Sequence, residues 1–360
     1  MVRRFAMLFS VVLLAAACGG EAAPATSVPT TQPDSAQVTT TTAAQTTTTA
    51  IATTESPIST TTSTTSTTST TAAPIPGATL ADGRPATFLA ITNDYSAVEV
   101  DTLTGEIVHV VGQTGTAAEV AAAEEMPPNV LVGIWRLRDG SVVGISDCCE
   151  PAAGNIFYVA SGDELENPYY SDWRTHGWTL SPSPTDNAFA NMGYSLNVED
   201  PLGEVVAGSG MWIDDPSLGF PMGAAAWDRN GSQLWWTTKI EKVSALATLD
   251  LAEGEPSHVT VLPWVMVNQD IDGIGSQASG NLVGFVHTRN ADYEVTETTG
   301  VVFSTVGEVI ANFPVATGST WGGYDPTGKF LIYVDGNGTA RWQGGGNAGA
   351  LGNGFVFASW

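Results

Sequence analysis

Cys148 and Cys149 stand side by side, followed by Glu150 and Pro151, and no other residues in the chain imply chemistry so directly by type and spacing. Adjacent Cα atoms lie about 3.8 Å apart across a trans peptide, below the usual disulfide range, so a ring between neighbours is strained and readily reduced. A vicinal disulfide at Cys148 and Cys149 would stiffen a loop and present a sulfur platform to a ligand. Two thiols, or bonds to a metal or another chain, are the other states open to the pair.

Asn268-Gln269-Asp270-Ile271-Asp272-Gly273 alternates oxygen-bearing side chains and ends on a Gly, the pattern by which a loop begins to wrap calcium. Ser279 stands where the closing bidentate Glu belongs, so the stretch reads better as polar turn residues than as a metal site. His109, His176, His258 and His287 are far apart, and none has the spacing of a zinc motif. A Gly-x-Ser-x-Gly elbow and a Gly-x-Gly-x-x-Gly loop are both missing, which removes support for serine hydrolysis and dinucleotide chemistry. Trp173, His176 and Trp178 share a loop-like stretch, Tyr169 to Trp178, that could stack a sugar or an aromatic ligand. Packing between sheets accounts for tryptophans equally well. The sequence therefore assigns no catalytic, cofactor-binding or metal-binding residue and implies no cofactor.

Lys and Arg number 12 against 37 Asp and Glu, a formal net charge of −25. Binding nucleic acid needs a clustered basic surface, and the close basic groupings are Arg136 with Arg138 and Lys239 with Lys242. Nucleic acid is excluded as a partner on this ground. The acidity suits a solvated, soluble surface.

The elements that must position any site are short strands. Alternating or apolar runs recur at Thr87 to Thr92, Ala97 to Val100, Ile107 to Val111, Val142 to Ser146, Ile156 to Ala160, Leu234 to Thr238, Val259 to Leu262, Leu282 to His287, Val301 to Ser304, Phe330 to Val334 and Phe355 to Ala358. Turn signals such as Asp139-Gly140, Asn230-Gly231 and Asp335-Gly336-Asn337-Gly338 separate them. A short helix is expected only around Thr116 to Met126. The class is all-β.

Two stretches align without a gap. Trp227-Asp228-Arg229-Asn230-Gly231-Ser232-Gln233-Leu234-Trp235-Trp236 matches Tyr324-Asp325-Pro326-Thr327-Gly328-Lys329-Phe330-Leu331-Ile332-Tyr333 at an offset of 97 residues. Halving the offset lands on Ser279-Gly280-Asn281-Leu282, and the frame extends back to Asp139-Gly140, to Asp186-Asn187 and, without its Gly, to Ala86. Anchors at Ala86, Gly140, Asn187, Gly231, Gly280 and Gly328 are 54, 47, 44, 49 and 48 residues apart. Each interval accommodates four short strands, the length of a propeller blade. The Asp can accept turn N–H groups, the Gly can take a positive φ, and the residues that follow can pack alternately on two neighbours.

Carried by Trp227 to Trp236 and Tyr324 to Tyr333, the chain resembles the TolB-like and WD40-like β-propeller repeats of bacterial envelope proteins. The resemblance implies a single β-propeller over residues 79–360, read here as six blades, with five or seven blades, or a β-sandwich, as the alternatives. It also implies ring closure by pairing the last strand, Phe355 to Ala358, with the first, Thr87 to Thr92. It implies no function.

Arg3 and Arg4 precede an apolar run, Phe5 to Ala17, that is too short to span a bilayer and has the form of a secretory signal. Leu14-Ala15-Ala16-Ala17-Cys18 resembles the bacterial lipobox, which implies residues 1–17 as a lipoprotein signal peptide and a diacylglyceryl group on Cys18. An ordinary cleaved signal with an incidental cysteine is the alternative. Residues 18–78, with Thr runs at 39–42 and 46–49, read as a disordered Thr/Ser/Pro-rich stalk. A coil of this length reaches roughly 40 Å, and a near-extended chain roughly 170 Å.

The expected protein is lipid-anchored on the outer face of a bacterial cytoplasmic membrane. Its expected function is non-catalytic: a propeller that binds a protein, glycan or small ligand, with the membrane as partner through Cys18. The alternative is an extracellular propeller hydrolase or lactonase that uses channel carboxylates, with or without calcium.

Overall fold

The computed structural model describes residues 77–123, 129–146, 156–167, 179–192, 195–202, 204–212, 220–240, 242–253 and 256–360. The signal, Cys18, the stalk up to residue 76, the Cys148–Cys149 pair and the stretch from Tyr169 to Trp178 lie outside the described residues.

Strands appear in groups of four. β1 (Thr87–Thr92), β2 (Ser96–Asp101) and β3 (Ile107–Gln113) precede helix α1 (Ala117–Ala122). The next group is β4 (Leu131–Arg136), β5 (Val142–Ser146), β6 (Ile156–Ser161) and β7 (Glu164–Glu166). It is followed by β8 (Thr179–Pro182), β9 (Phe189–Met192), β10 (Ser195–Glu199) and β11 (Val205–Trp212). Then come β12 (Phe220–Trp227), β13 (Gln233–Ile240), β14 (Val243–Asp250) and β15 (Pro256–Val261), and β16 (Gln269–Ser276), β17 (Leu282–Arg289), β18 (Val295–Phe303) and β19 (Val309–Pro314). The chain ends in β20 (Thr320–Tyr324), β21 (Phe330–Val334), β22 (Thr339–Gly344), β23 (Asn347–Asn353) and β24 (Phe355–Ser359).

These strands make four four-stranded antiparallel meanders and one eight-stranded sheet in a propeller-like arrangement. In the eight-stranded sheet two meanders, β12 to β15 and β16 to β19, meet through the parallel bridge of Ala224 with Gly273. The last strand closes on the first: β24 pairs antiparallel with β1, Leu89 opposite Ser359 and Ala90 opposite Ala358. The pairing expected of Phe355 to Ala358 with Thr87 to Thr92 is therefore present. Each repeat anchor lies just before the second strand from the inner edge of a meander, namely β1, β5, β9, β13, β17 and β21.

Burial on both faces explains why these second strands are apolar runs rather than alternating ones. On β13, Leu234 and Trp236 join one cluster with Ala190, Leu196 and Val198, while Trp235 joins another with Ile271, Leu282 and Phe303. On β21, Leu331 and Tyr333 pack with Phe285 and Trp321, while Ile332 and Val334 pack with Phe88 and Val100. Side chains alternate along a strand, so each such strand fastens its sheet to both neighbours. Full burial of one of these large side chains contributes roughly 1.5–3 kcal/mol.

The short helix expected around Thr116 to Met126 is present as α1, which Thr116 caps reciprocally with Glu119 and which ends where Ala123 turns extended. One expectation needs correction. Asn268 to Gly273 is not a turn, since Gln269 to Gly273 lie within β16. There Asp270 receives the Arg289 Nε–H at 2.6 Å, and the Asp272 carboxylate accepts the Trp321 backbone N–H at 3.0 Å. The alternation that resembles calcium ligands is the two-residue period of a strand whose carboxylates tie it to its neighbours. Among the described residues no three His, Cys, Asp or Glu side chains converge within metal-binding reach.

Candidate functional site: an axial funnel

The innermost strands β24, β4, β8, β12, β16 and β20 are joined around an axis by a different contact at each step. Ser359 Oγ donates to the Ile134 carbonyl at 2.6 Å, linking β24 to β4. Arg138 Nη1 donates to the Pro184 carbonyl at 2.8 Å and Asn187 donates to Asp139 at 2.8 Å, linking the turns after β4 and β8. Ser181 Oγ accepts the Ala225 N–H at 2.9 Å, linking β8 to β12. The Ala224–Gly273 bridge and the Asp272–Trp321 bond carry the ring through β16 to β20. Trp360 then donates its indole N–H to the Phe330 carbonyl at 2.8 Å.

Close approach at the axis dictates small residues. A Cβ on Gly322 would come within 2.1 Å of the Ala358 carbonyl oxygen, and one on Gly275 within 2.8 Å of the Trp321 ring. A Cβ on Gly223 would come within 2.0 Å of the Asp272 carbonyl oxygen, so crowding accounts for one Gly in each of β12, β16 and β20.

At the end where each innermost strand turns into the next, the strands splay around a funnel of about 600 Å³. Its wall includes Trp135, Trp227, Trp321 and Ala224 to Ala226, and its rim includes Arg136, Arg138, Asp139, Asp228, Arg229 and Asp325. Residues from Gly77 to Pro85, folded as a hairpin through the Thr79–Pro85 bridge, border the mouth.

The rim carboxylates are turn caps. Asp139 accepts from Ser141 N at 2.9 Å, Ser141 Oγ at 2.6 Å and the Asn187 amide. The Ser141 hydroxyl chiefly, with those N–H groups, holds Asp139 below the usual carboxylate range. Asp228 accepts from Ser232 N, Gln233 N and Ser232 Oγ. Asp325 accepts from Thr327 N, Lys329 N and Phe330 N. Gly140, Gly231 and Gly328 follow in these turns at φ of +91°, +66° and +61°, a left-handed backbone that side chains resist. The aligned Asp and Gly thus perform the turn chemistry that their types imply.

The arginines are placed differently. Arg136 Nη2 meets Glu99 Oε1 at 2.8 Å, and the same buried carboxylate accepts the Thr87 hydroxyl. Arg229 donates to the Pro326 carbonyl at 2.8 Å and to the Ser276 carbonyl at 3.0 Å, while its Nε is buried without a partner. Burial pushes the Arg229 guanidinium down from its ordinary value, against the opposing pull of Asp325. Burial also pushes the Tyr324 phenol, which accepts from the Gln277 amide, up to about 12, so it is neutral at physiological pH. The funnel can therefore offer guanidinium N–H donors and aromatic walls, whereas its rim carboxylates are engaged by their own turns and, at Asp139, by Asn187 of the adjoining one.

Sequence reasoning singled out Asp228 and Asp325 as turn residues but missed the funnel. Its walls are Ala, Gly and Trp from strands that lack a legible apolar pattern. The pairing of Arg136 with Arg138, noted only as a basic grouping, was the signal available.

No protein-family model matches the chain, and no curated protein matches it. Solved structures do. The crystal structure of a nidogen/laminin complex is 12% identical, covers 76% of this chain and 97% of its own, and has a TM-score of 0.50. Hydrazine synthase of Kuenenia stuttgartiensis is 14% identical over 76% of this chain and 80% of its own, with a TM-score of 0.44. A TolB protein of Agrobacterium tumefaciens is 13% identical over 75% of this chain and 92% of its own, with a TM-score of 0.45. At such identities the likeness concerns the propeller-like fold alone.

Proposed function

We propose that this chain is a lipid-anchored, extracytoplasmic six-bladed propeller that acts as a non-catalytic binding scaffold, with the axial funnel as its binding face. The observation that carries this reading is the funnel itself, a concave site in a closed ring whose rim carboxylates are saturated by their own turns. A hydrolase would need a carboxylate free to move a proton or hold a metal, and Asp139, Asp228 and Asp325 are each bound from several directions. The count of six treats the eight-stranded sheet as two blades joined by one bridge, in keeping with six anchors and six innermost strands. A partner protein or glycan can meet the rim, and a small ligand can enter the funnel. The likeness to a structure solved as a complex of two proteins is a precedent for a protein partner, though not an identification.

The anchor rests on the Arg3–Cys18 segment, with the membrane met through lipid on Cys18, residues 18–78 as the spacer and 79–360 as the displayed domain. Two measurements on the full-length protein in its bacterial host test the reading. Cys18→Ser is expected to release the protein from the membrane fraction; retention there would overturn the anchor. A photo-crosslinking residue at Thr327 on the rim is expected to capture a discrete adduct that the same residue at Val309, on the exposed outer strand β19, does not. Equal capture at both places, or turnover of a lactone or ester panel by the purified protein, would overturn the scaffold reading.

A further inference from the structure

Three of the ten Lys and Arg residues that follow Arg4 line one cavity, in a chain of net charge −25. Arg136, the last residue of β4, reaches Glu99 on β2, whereas Arg138, in the turn that follows, reaches the Pro184 carbonyl beyond β8, and both line the cavity. Arg136 is held by Glu99. Arg138 is exposed and donates to one neutral carbonyl, and Arg229 donates to two. Among the described residues neither Arg138 nor Arg229 has a carboxylate as ion-pair partner within 4.0 Å. Carbonyl oxygens satisfy N–H groups without offsetting a positive charge, and the exposed Arg138 keeps guanidinium N–H groups that an anion entering the cavity can reach. The rim Asp residues, already accepting from their own turns, offer a cation little.

Resting on the reading of the funnel as a binding site, we propose that its ligand is a small organic anion. Its carboxylate or phosphate is held by Arg138, and its ring or apolar body lies against the Trp135 and Trp227 wall of the same cavity. The size fits, since a cavity of about 600 Å³ falls in the range of small-molecule sites. The charge of the whole protein sets the upper limit on the ligand. A long polyanion would meet the repulsion of an acidic surface along its length, whereas one or two negative charges inside the rim meet mainly the local guanidinium groups. A guanidinium fork suits carboxylate and phosphate oxygens alike.

The test uses probes with one ring and different charges. Benzoate, phenyl phosphate, benzyl alcohol and benzylamine are titrated into the full-length protein in detergent, by calorimetry and by the fluorescence of its tryptophans. The expected result is saturable binding of at least one anion, whichever of the two fits identifying the headgroup. That binding is weakened about tenfold by Arg138→Gln and less by Arg138→Lys, which keeps the charge but not the fork, and it falls as salt rises from about 50 to about 500 mM. Arg138→Gln also removes a bond to Pro184, but loss of that bond alone would weaken all probes equally, so charge selectivity is the deciding readout. Benzylamine binding as well as the anions, anion affinity unchanged in Arg138→Gln, or binding of no probe would overturn the proposal. Benzyl alcohol binding as tightly as benzoate would overturn the anion assignment yet leave the funnel a ligand site, so the two readings fail separately.

Discussion

Arg229 donates its Nη1–H to the carbonyl of Pro326 at 2.8 Å, and Pro326 occupies in its own turn the position that Arg229 occupies in its turn. The offset of 97 residues that reveals the repeat is also the span of a physical contact across the funnel mouth. Arg229 Nη2 lies against Gly328, where a Cβ would fall 1.2 Å from it. Arg229→Ala leaves the Ser276 and Pro326 carbonyls without this donor and is expected to destabilise by about 1–3 kcal/mol. Gly328→Ala, at φ +61°, is expected to cost more with Arg229 present than in the Arg229→Ala background. Chemical denaturation of the two single variants and the double variant measures that coupling; strictly additive costs would mean that the guanidinium does not pack on the turn.

Ring closure is open to a similar measurement. Ser359 is buried and its hydroxyl serves the Ile134 carbonyl of the adjoining innermost strand. Ser359→Ala should therefore lower stability by about 1–3 kcal/mol, the cost of an unsatisfied buried acceptor. Deleting Phe355–Trp360 should do far more, because it removes β24 from β1 and bares an inner strand edge. Loss of a single cooperative thermal transition in the truncated chain is the expected result, and a transition unchanged from the full-length protein would show that closure contributes little.

Particular residues show where the fold was legible in sequence. Strands buried on both faces, such as Phe330 to Val334 and Val142 to Ser146, carry continuous apolar runs, and the structure keeps both at those bounds. Innermost strands such as β12, β16 and β20 were not legible, because close approach at the axis requires Gly223, Gly275 and Gly322, and Gly speaks against a strand. Outer strands such as β23, Asn-Ala-Gly-Ala-Leu-Gly-Asn, give no pattern because they bury little. The stretch from Asn268 to Gly273 misleads for the opposite reason: its polar residues sit on a strand because Arg289 and the Trp321 N–H receive them. Candidate site residues were least legible of all, since the funnel arises from six strands that are distant in sequence.

The state of Cys148 and Cys149 is open to direct chemical measurement. In an oxidising compartment, a vicinal disulfide predicts a mass two units below the reduced value, no alkylation before reduction and two alkylations after it. The strain of a ring between neighbours further predicts reduction by mild dithiol. Two alkylations before reduction would establish free thiols, and a dimer lost on reduction would establish a bond between chains.

Acid sensitivity should trace in part to Asp335. This buried carboxylate accepts from Asn337 N at 2.9 Å and Thr339 N at 3.1 Å and is met by Arg341 Nε at 2.5 Å. Burial alone would raise its pKa, but the Arg341 bond and the two N–H groups outweigh burial and hold it below the ordinary value of an Asp. The same bond holds the Arg341 guanidinium above its own ordinary value. A carboxyl that ionises more readily folded than unfolded contributes stability that is complete above its unfolded pKa and disappears as pH falls through the folded one. Its contribution is thus expected to be intact above about pH 5 and lost progressively below about pH 4. Asp335→Asn should lower stability at neutral pH and flatten the loss between those regions, while Asp139, also depressed, keeps part of the acid dependence. Urea denaturation of both proteins across this range checks the expectation, and parallel profiles would mean that the ionisation of Asp335 is not coupled to folding.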